Sequence, residues 1–598
     1  MSVNDAGEQG PAPITSYPDG RWTVVDHRPS TRFPLCCRGN TGEVYPNVVT
    51  PLTASIVSAP FARGQARMAL DYGLATKSQL AEFDGVARGI TGVFGGYLYG
   101  NVSLARSGVA RTPGLTVELV DRQMFGLSGA PPHRRGPGER DLRCLLRSTR
   151  KMSVALIRPR PGQLEADRRD IADYISQAPD VTAASTGDLL SLVGALAPRL
   201  ERMMHNLLVA SAFAGIGRSL LERTVATVGD DGLVNRLTAG LGTIESADPA
   251  SDLWKLGRLV AADEQLTEAF RAGPDGLEKR LHSLNSEASL QFAILMGDFH
   301  RAHGSRGPDE WELASPTWGT DPRIPLAMID RLRLAPDSRD PHDVGARLCA
   351  QRRELTIEVR AQLPRSRRRA FDIALRATML YQAQREATKA AFVRLLDPPR
   401  RVLAELARRS AIAHTDFFLL TIDEVPAAIA DPSQFADAIE ERRSRRDFLQ
   451  ARTPPFWFEG AIASPPTWPL RADRRVPDPS SRVIRGIGVC AGVASGPARV
   501  VMDPTDPGDL QPGDILVAPI TDPAWTPLFL AAAGVVVDVG AQQSHAAIVA
   551  RELGIPAVVS ADAASATIPD GAWITVDGSN GTVTVHERRP NTLTIIDG

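Results

Sequence analysis

Ten histidines occur in the 598 residues, and one of them, His545, stands at the start of a small-residue helical pattern. In Gly540-Ala541-Gln542-Gln543-Ser544-His545-Ala546-Ala547-Ile548-Val549-Ala550-Arg551-Glu552-Leu553-Gly554-Ile555-Pro556, Ser544 offers an N-cap, and Gly554 and Pro556 end the run. An imidazole in the first turn meets unpaired backbone N–H groups and the positive end of the helix dipole, which favour an anion carried on the ring. Imidazole is a neutral nucleophile near pH 7, with an unperturbed pKa of about 6.5, and its phosphorylated nitrogen is a good donor. His545 is therefore a candidate phosphoryl carrier. Spacing alone leaves equally open a βα-loop histidine with no chemistry. Arg551, two turns on, reads either as a partner for phosphate or as a solvated helix-face arginine.

Such a helix must be set against strands. DILVAPI (514–520) and GVVVDVG (534–540) read as buried strands joined by a helical connection, TDPAWTPLFLAAAG, with Asp522 or Thr526 as cap before a proline. WITVDGSNGTVTV reads as a hairpin over the turn 577–581. Residues 484–588 thus form an α/β domain with a tail at 589–598. Ahead of it, 453–483 is proline-rich and aperiodic, as an interdomain linker is; extended at about 3.3 Å per residue it would reach on the order of 100 Å. Residues 31–452 form a body that is irregular to about 150 and then carries apolar residues at helical spacing, as in LLSLVGALAPRLERMMHNLLVASAFAGIGRSLLERTVATV. Residues 1–30 read as a loosely ordered tail. The expected class is multidomain α+β, a largely helical body followed by the smaller C-terminal domain.

Composition narrows the partners. A hydrophobic fraction of 43% and a charged fraction of 23% belong to a folded, water-soluble chain. With 68 basic and 69 acidic residues the formal charge is −1, so no global field favours nucleic acid or an anionic membrane. Five cysteines without C-x-x-C pairs point to a reduced, cytoplasmic protein, and the polar start lacks the apolar stretch of a secretory signal.

The segment GVVVDVGAQQSHAAIVARELGIPAVVS, preceded by GDILVAPITDPAW and followed by IPDGAWITVDGSNGTV, closely resembles the swivelling β/β/α phosphohistidine domain of phosphoenolpyruvate synthase and pyruvate phosphate dikinase. The opening GIGVCAGVASGPA (486–498) matches it as well; its glycines lack the spacing of a dinucleotide fingerprint. The body is similar to the acceptor-binding part of rifampin phosphotransferase and its relatives, through Asn40-Thr41-Gly42-Glu43, Val49-Thr50-Pro51-Leu52-Thr53, Gly96-Tyr97-Leu98-Tyr99-Gly100-Asn101, His303 to Glu312, Arg385-Glu386 and Asp416 to Glu424. Two departures are Gln543, where many relatives carry threonine, and Ser305, where a histidine often stands.

The resemblance implies a phosphotransferase in which His545 is phosphorylated during turnover. Arg306 with Glu310 would stabilise charge and take the hydroxyl proton, with His303 as reserve base; Arg385, Glu386, Glu43 and Asn101 would bind substrate, whereas on residue types alone the Arg/Glu neighbours read more readily as helix-face ion pairs, and Glu43 and Asn101 nearly as well as turn and N-cap residues. The family's ATP-grasp module finds no room in these residues, so ATP and Mg2+ are expected through a separate ATP-grasp partner subunit, with no metal bound by this chain itself. The acceptor is expected to be a hydroxyl of a small hydrophobic molecule, for which Phe299, Trp311, Trp318 and Tyr381 would suit a pocket wall or, more commonly, the core. If phosphate then leaves by elimination, the net outcome is dehydration. Two alternatives are a non-catalytic ligand-binding relative and a phosphotransferase charged directly by phosphoenolpyruvate.

Overall fold

The computed structural model describes residues 14–84, 87–112, 115–126, 129–134, 139, 141–159, 162–229, 232–241, 245, 248–471, 483–504, 506–542, 544–561 and 563–586. Helical periodicity in the body becomes two long helices, Ala197–Val225 and Arg365–Leu395, packed along each other, with Pro51–Asp71 beside the first. They approach so closely that a Cβ on Gly217 would lie 2.8 Å from Thr378 Oγ1 and 3.0 Å from its backbone nitrogen, a spacing that only glycine fits. Helix Pro51–Asp71 starts at Thr50, and the buried Glu312 accepts from Thr50 N at 3.1 Å, from Thr50 Oγ1 at 2.7 Å and from the Thr53 hydroxyl. That knot ties the 49–53 motif to the end of the 303–312 motif.

A four-stranded antiparallel sheet covers one end of the body: β1 (Leu35–Cys37), β2 (Thr91–Phe94), β3 (Tyr97–Asn101) and β4 (Trp457–Glu459), in the order β2-β3-β1-β4. β4 corrects the linker expectation, because residues 453–471 belong to the body. Phe458 pairs with Cys36 and packs 5.1 Å from the rings of Phe94 and Tyr99; Tyr99 donates its hydroxyl to Pro455 O at 2.8 Å. Apolar burial outweighs the prolines, which an edge segment tolerates. Residues 472–482 of the expected linker lie outside the described residues. The N-terminal tail is also shorter than expected: Asp26 is buried and accepts from Trp22 N at 2.8 Å and Gly96 N at 2.9 Å, holding the segment on β3.

The C-terminal domain holds an eight-stranded sheet made of β5 (Val483–Arg485), β6 (Ile487–Cys490), β7 (Val493–Val500), β8 (Ile515–Ala518), β9 (Gly534–Val537), β10 (Ala557–Val559), β11 (Trp573–Asp577) and β12 (Thr582–Val585). Their order is β5-β12-β11-β7-β8-β9-β10-β6, with β7, β8, β9 and β10 parallel and the outer strands antiparallel. Strand periodicity sends Ile515, Val517, Val536 and Val558 to one face and Leu516, Val535, Val537 and Val559 to the other. The second face continues into the body, sharing one apolar cluster with Trp254, Phe270, Phe299 and Trp318. The C-terminal domain is thus docked on the body, further held by Leu241 N donating to Glu552 Oε2 at 3.0 Å and Arg331 Nη2 donating to Gly508 O at 2.8 Å. The α+β class with a helical body and a β-rich C-terminal domain is borne out. Among the described residues no helix is long and apolar enough to cross a membrane.

Candidate active site

His545 is the first residue of the helix His545–Leu553, whose N-cap Ser544 accepts from Ala547 N at 3.3 Å. Gly554 closes the helix at φ 62, a left-handed conformation that favours glycine. The helix lies buried between the parallel strands and the body, and His545 is only 2% exposed. Its Nε2 is 3.2 Å from Thr526 Oγ1, its backbone N–H donates to Glu43 Oε2 at 3.4 Å, and Nδ1 is buried without a hydrogen bond. The alternatives for the cap in the 521–534 connection resolve: Asp522 accepts from Ala524 N at 2.9 Å, which frees the Thr526 hydroxyl for the imidazole.

The body brings charge to that ring from three separate stretches of chain. Glu43 comes from a turn anchored on β3 through Thr41, whose hydroxyl donates to Leu98 O at 2.8 Å. Arg306 and Glu310 follow the helix Glu287–His303, and the Arg306 Nη1 to Glu310 Oε2 distance is 3.6 Å with both side chains buried. Helix Arg365–Leu395 supplies Arg385, Glu386 and Lys389, with Glu386 Oε1 at 3.6 Å from Arg385 Nη1 and 4.0 Å from Lys389 Nζ. These ion pairs are long for buried groups, and Glu43 Oε1, Glu310 Oε2 and Glu386 Oε1 are buried without a hydrogen bond. The cluster is therefore charged but not closed on itself.

Electrostatics follow from that arrangement. Burial pushes the His545 imidazole down to about 3; Glu386 opposes the shift, while Lys389, Arg306 and Arg385 deepen it. The ring is held neutral, and of its surroundings only Lys389, Arg306 and Arg385 favour an anion, since burial disfavours either charge. Burial also raises Glu43 and Glu310 above the usual carboxylate range against the pull of Lys389 and neighbouring arginines. At Glu386 burial works in the same direction, but Lys389 and Arg385 overcome it and hold the group below its ordinary value. Lys389 itself is lowered, by burial and by Arg385. A carboxylate held low, two carboxyls held high and a lysine held low thus cluster with Arg306 and Arg385 about the His545 ring.

Of the residues singled out in the sequence, the structure gathers His545, Arg306, Glu310, Arg385, Glu386 and Glu43. Asn101 is a correction: its Oδ1 accepts from Leu104 N at 2.8 Å and its Nδ2 donates to Phe33 O at 2.8 Å, so the side chain caps the helix Val102–Ala110 instead of lining a pocket. His303 is held by Asp252, Nε2 to Oδ2 at 3.0 Å, and lines a cavity on which Arg306 also borders. The aromatic residues pack as core: Trp311 stacks 4.0 Å from Phe392, Phe299 lies 5.5 Å from Trp318, and Tyr381 lies 5.1 Å from Phe213. Arg551 is not a solvated arginine; it is buried, donates to Gln542 O at 3.1 Å, and is pushed down to about 9 by burial and then by Arg218. Gln543 lies outside the described residues.

Lys389 and the meeting of the acidic pair Asp309 and Asp522 are not foreseen in the sequence, and Thr526 is foreseen there only as a cap. The first had a signal, standing four residues after Arg385 on one helical face. The pair had none, because Asp522 Oδ2 reaches the Asp309 N–H at 2.9 Å only across the two docked domains. Burial raises both: Asp309 goes to about 6 with Glu312 and Asp503 adding to the shift, and Asp522 is raised further by the Asp309 charge. Among the described residues no group of three or more His, Cys, Asp or Glu side chains is placed to hold a metal ion, and the chamber's carboxylates face Lys389 and arginines instead of gathering on a cation position.

A carrier domain docked by a helix-start histidine on a helical, charge-bearing body is the arrangement to which known proteins can be compared. Residues 510–581 match the profile of the PEP-utilising enzyme mobile domain, and residues 204–386 that of the rifampicin phosphotransferase fourth domain. Both matches bear out the resemblance to PEP-utilising enzymes of rifampin phosphotransferase-like architecture. An uncharacterised protein of Mycobacterium tuberculosis is 28% identical over 98% of this chain and 65% of its own length. A rifampicin phosphotransferase of a Streptomyces species is 35% identical over 40% of this chain and 28% of its own, and the prodigiosin synthesizing transferase PigC of Serratia marcescens is 28% identical over 60% and 40%. The chain spans 65% of the length of the longest-matching of these relatives.

Proposed function

We propose that this chain is the carrier and acceptor portion of a phosphotransferase, in which His545 takes up a phosphoryl group and delivers it to a hydroxyl held by the body. The observation that carries this reading is the buried, neutral His545 ring set at a helix start against Lys389, Arg306 and Arg385. In the docked state the acceptor oxygen attacks phosphorus, the P–N bond breaks, and the electron pair returns to the imidazole. The hydroxyl proton passes to Glu310 or Glu43, whose raised proton affinity suits a base, or to His303 on the cavity side. The three cations bear the charge on the equatorial oxygens.

Charging is assigned to ATP with Mg2+ on an ATP-grasp partner, as the family resemblance implies, and it requires the carrier to leave the chamber. Elimination of phosphate from the product would make the net reaction a dehydration. The test is to incubate the full chain with a candidate ATP-grasp partner and ATP labelled at both the β and γ phosphates. Acid-labile, alkali-stable label is expected on the chain and absent from His545→Ala; label of equal yield on that variant rejects the reading. A parallel incubation with phosphoenolpyruvate alone, read by intact mass, identifies the donor.

A further inference from the structure

Three stretches of chain that carry groups of the His545 chamber meet where Asp309 contacts Asp522. The two carboxylate oxygens of Asp522 serve different domains: Oδ1 accepts from Ala524 N at 2.9 Å within the C-terminal domain, and Oδ2 accepts from Asp309 N at 2.9 Å on the body. Asp309 lies in the loop that carries Arg306 and Glu310, at φ 48, and its own carboxylate accepts from Asn47 Nδ2 at 2.6 Å. Asn47 follows the turn that bears Glu43, in which Tyr45 N donates to Thr41 O at 2.9 Å. Hydrogen bonds thus run from the Glu43 turn through Asn47 and Asp309 to Asp522. They end at Ala524, two residues before Thr526, whose hydroxyl lies 3.2 Å from the imidazole.

We propose that Asp522 is a positioning residue, whose bond to the Asp309 N–H sets the register in which the C-terminal domain docks, so that Thr526 and His545 meet Glu43 and the Arg306–Glu310 loop in one arrangement. This rests on the reading that His545 is charged away from the body and discharged against it. The body side of the contact is firmly held. Glu312 N donates to Asp309 O at 2.8 Å and Trp318 N to Arg306 O at 2.7 Å, Tyr45 Oη donates to Trp311 O at 3.1 Å, and Arg400 Nη2 donates to the carbonyls of Glu310 and Glu312. A cap alone would not require an aspartate. One serine oxygen caps as well, without burying a second carboxyl beside Asp309, but it cannot bond Ala524 N and also reach Asp309 N. The second oxygen of Asp522, only 6% exposed, is what links the two domains.

Docking needs no phosphoryl chemistry, so the test uses the full chain without nucleotide or acceptor and follows acylation of the His545 ring by diethyl pyrocarbonate, read by peptide mass. A ring this buried reacts when the domains part. Asp522→Ser keeps a cap oxygen for Ala524 but leaves the Asp309 N–H unpaired, and should raise the initial rate roughly tenfold or more. Asn47→Ala should raise it roughly threefold, and both changes together by less than the product of the two, because both act through Asp309. Hydrogen exchange in β8 and β9 should stay the same. An unaltered acylation rate in Asp522→Ser overturns the proposal, as does a faster rate with exchange accelerated equally across those strands, since Asp522 would then serve only its own domain. Charging by an ATP-grasp partner and ATP labelled at both the β and γ phosphates should run at least as fast in Asp522→Ser, because undocking precedes it; slower charging also counts against the proposal. A chain that opens on Asp522→Ser but never takes label on His545 would instead sink the phosphotransfer reading and leave the docking register standing.

Discussion

The two poles of the chamber are built differently. The C-terminal pole, from Asp522 to Gly554, places histidine, cap, strand and helix stop within one short stretch of chain, so local rules position His545. The body pole draws Glu43, Arg306 with Glu310, and Arg385 with Glu386 and Lys389 from three stretches that meet only through tertiary packing. A site assembled locally is read from sequence and tolerates loss of distant contacts. A site assembled from afar depends on the packing of the helices that carry it.

That contrast predicts a split between charging and discharge. Lys389→Met should slow loss of label from phospho-His545 to acceptor by about a hundredfold or more, the size of a lost oxyanion-type contact, while charging of His545 changes by only a few fold. Single-turnover decay of labelled protein with saturating acceptor measures it, and equal slowing of both steps would erase the distinction between the poles.

Docking joins the poles and should depend on pH. Burial raises Glu552 from 4.5 to about 7 and Asp309 from 3.8 to about 6 where the domains meet. A carboxyl raised by docking favours the docked form fully below its ordinary value, and that contribution fades as pH rises through the docked value. Docking should therefore weaken between about pH 5 and 8, with Glu552 contributing no more than roughly 3 kcal/mol. Hydrogen exchange of 545–553, corrected for intrinsic rate, should accelerate over that range, and Glu552→Gln should flatten the profile; an unaltered profile in the variant would show that Glu552 is not the sensor.

Smaller effects separate capping from chemistry. Ser544→Ala and Asn101→Ala should each cost about 1 kcal/mol of stability, read by chemical denaturation. Only the first should slow charging of His545 at a temperature where both variants remain folded. A specific loss of acceptor affinity in Asn101→Ala would restore that residue to the binding site and undo the correction.

Much of this was legible beforehand. Ser544, His545 and Gly554 announce cap, nucleophile and stop, and the alternation in β8 and β9 announces the sheet, because each rests on contacts a few residues apart. Residues 453–471 misled because their prolines read as linker, while the burial of Phe458 against Phe94 and Tyr99 depends on strands more than three hundred residues away. Asn101 misled in the other direction, since a polar residue in a family-like motif can serve a helix end as readily as a ligand.

By itself, the sequence determined the helix that begins at His545 and the strands beneath it. Only the tertiary structure decided that Lys389 joins Arg306 and Arg385 around that ring and that Asp309 and Asp522 meet across the interface. The physical reason is range. Caps, turns and strand alternation are settled by neighbours along the chain, whereas the charge felt by a buried side chain is settled by whichever distant helices pack against it.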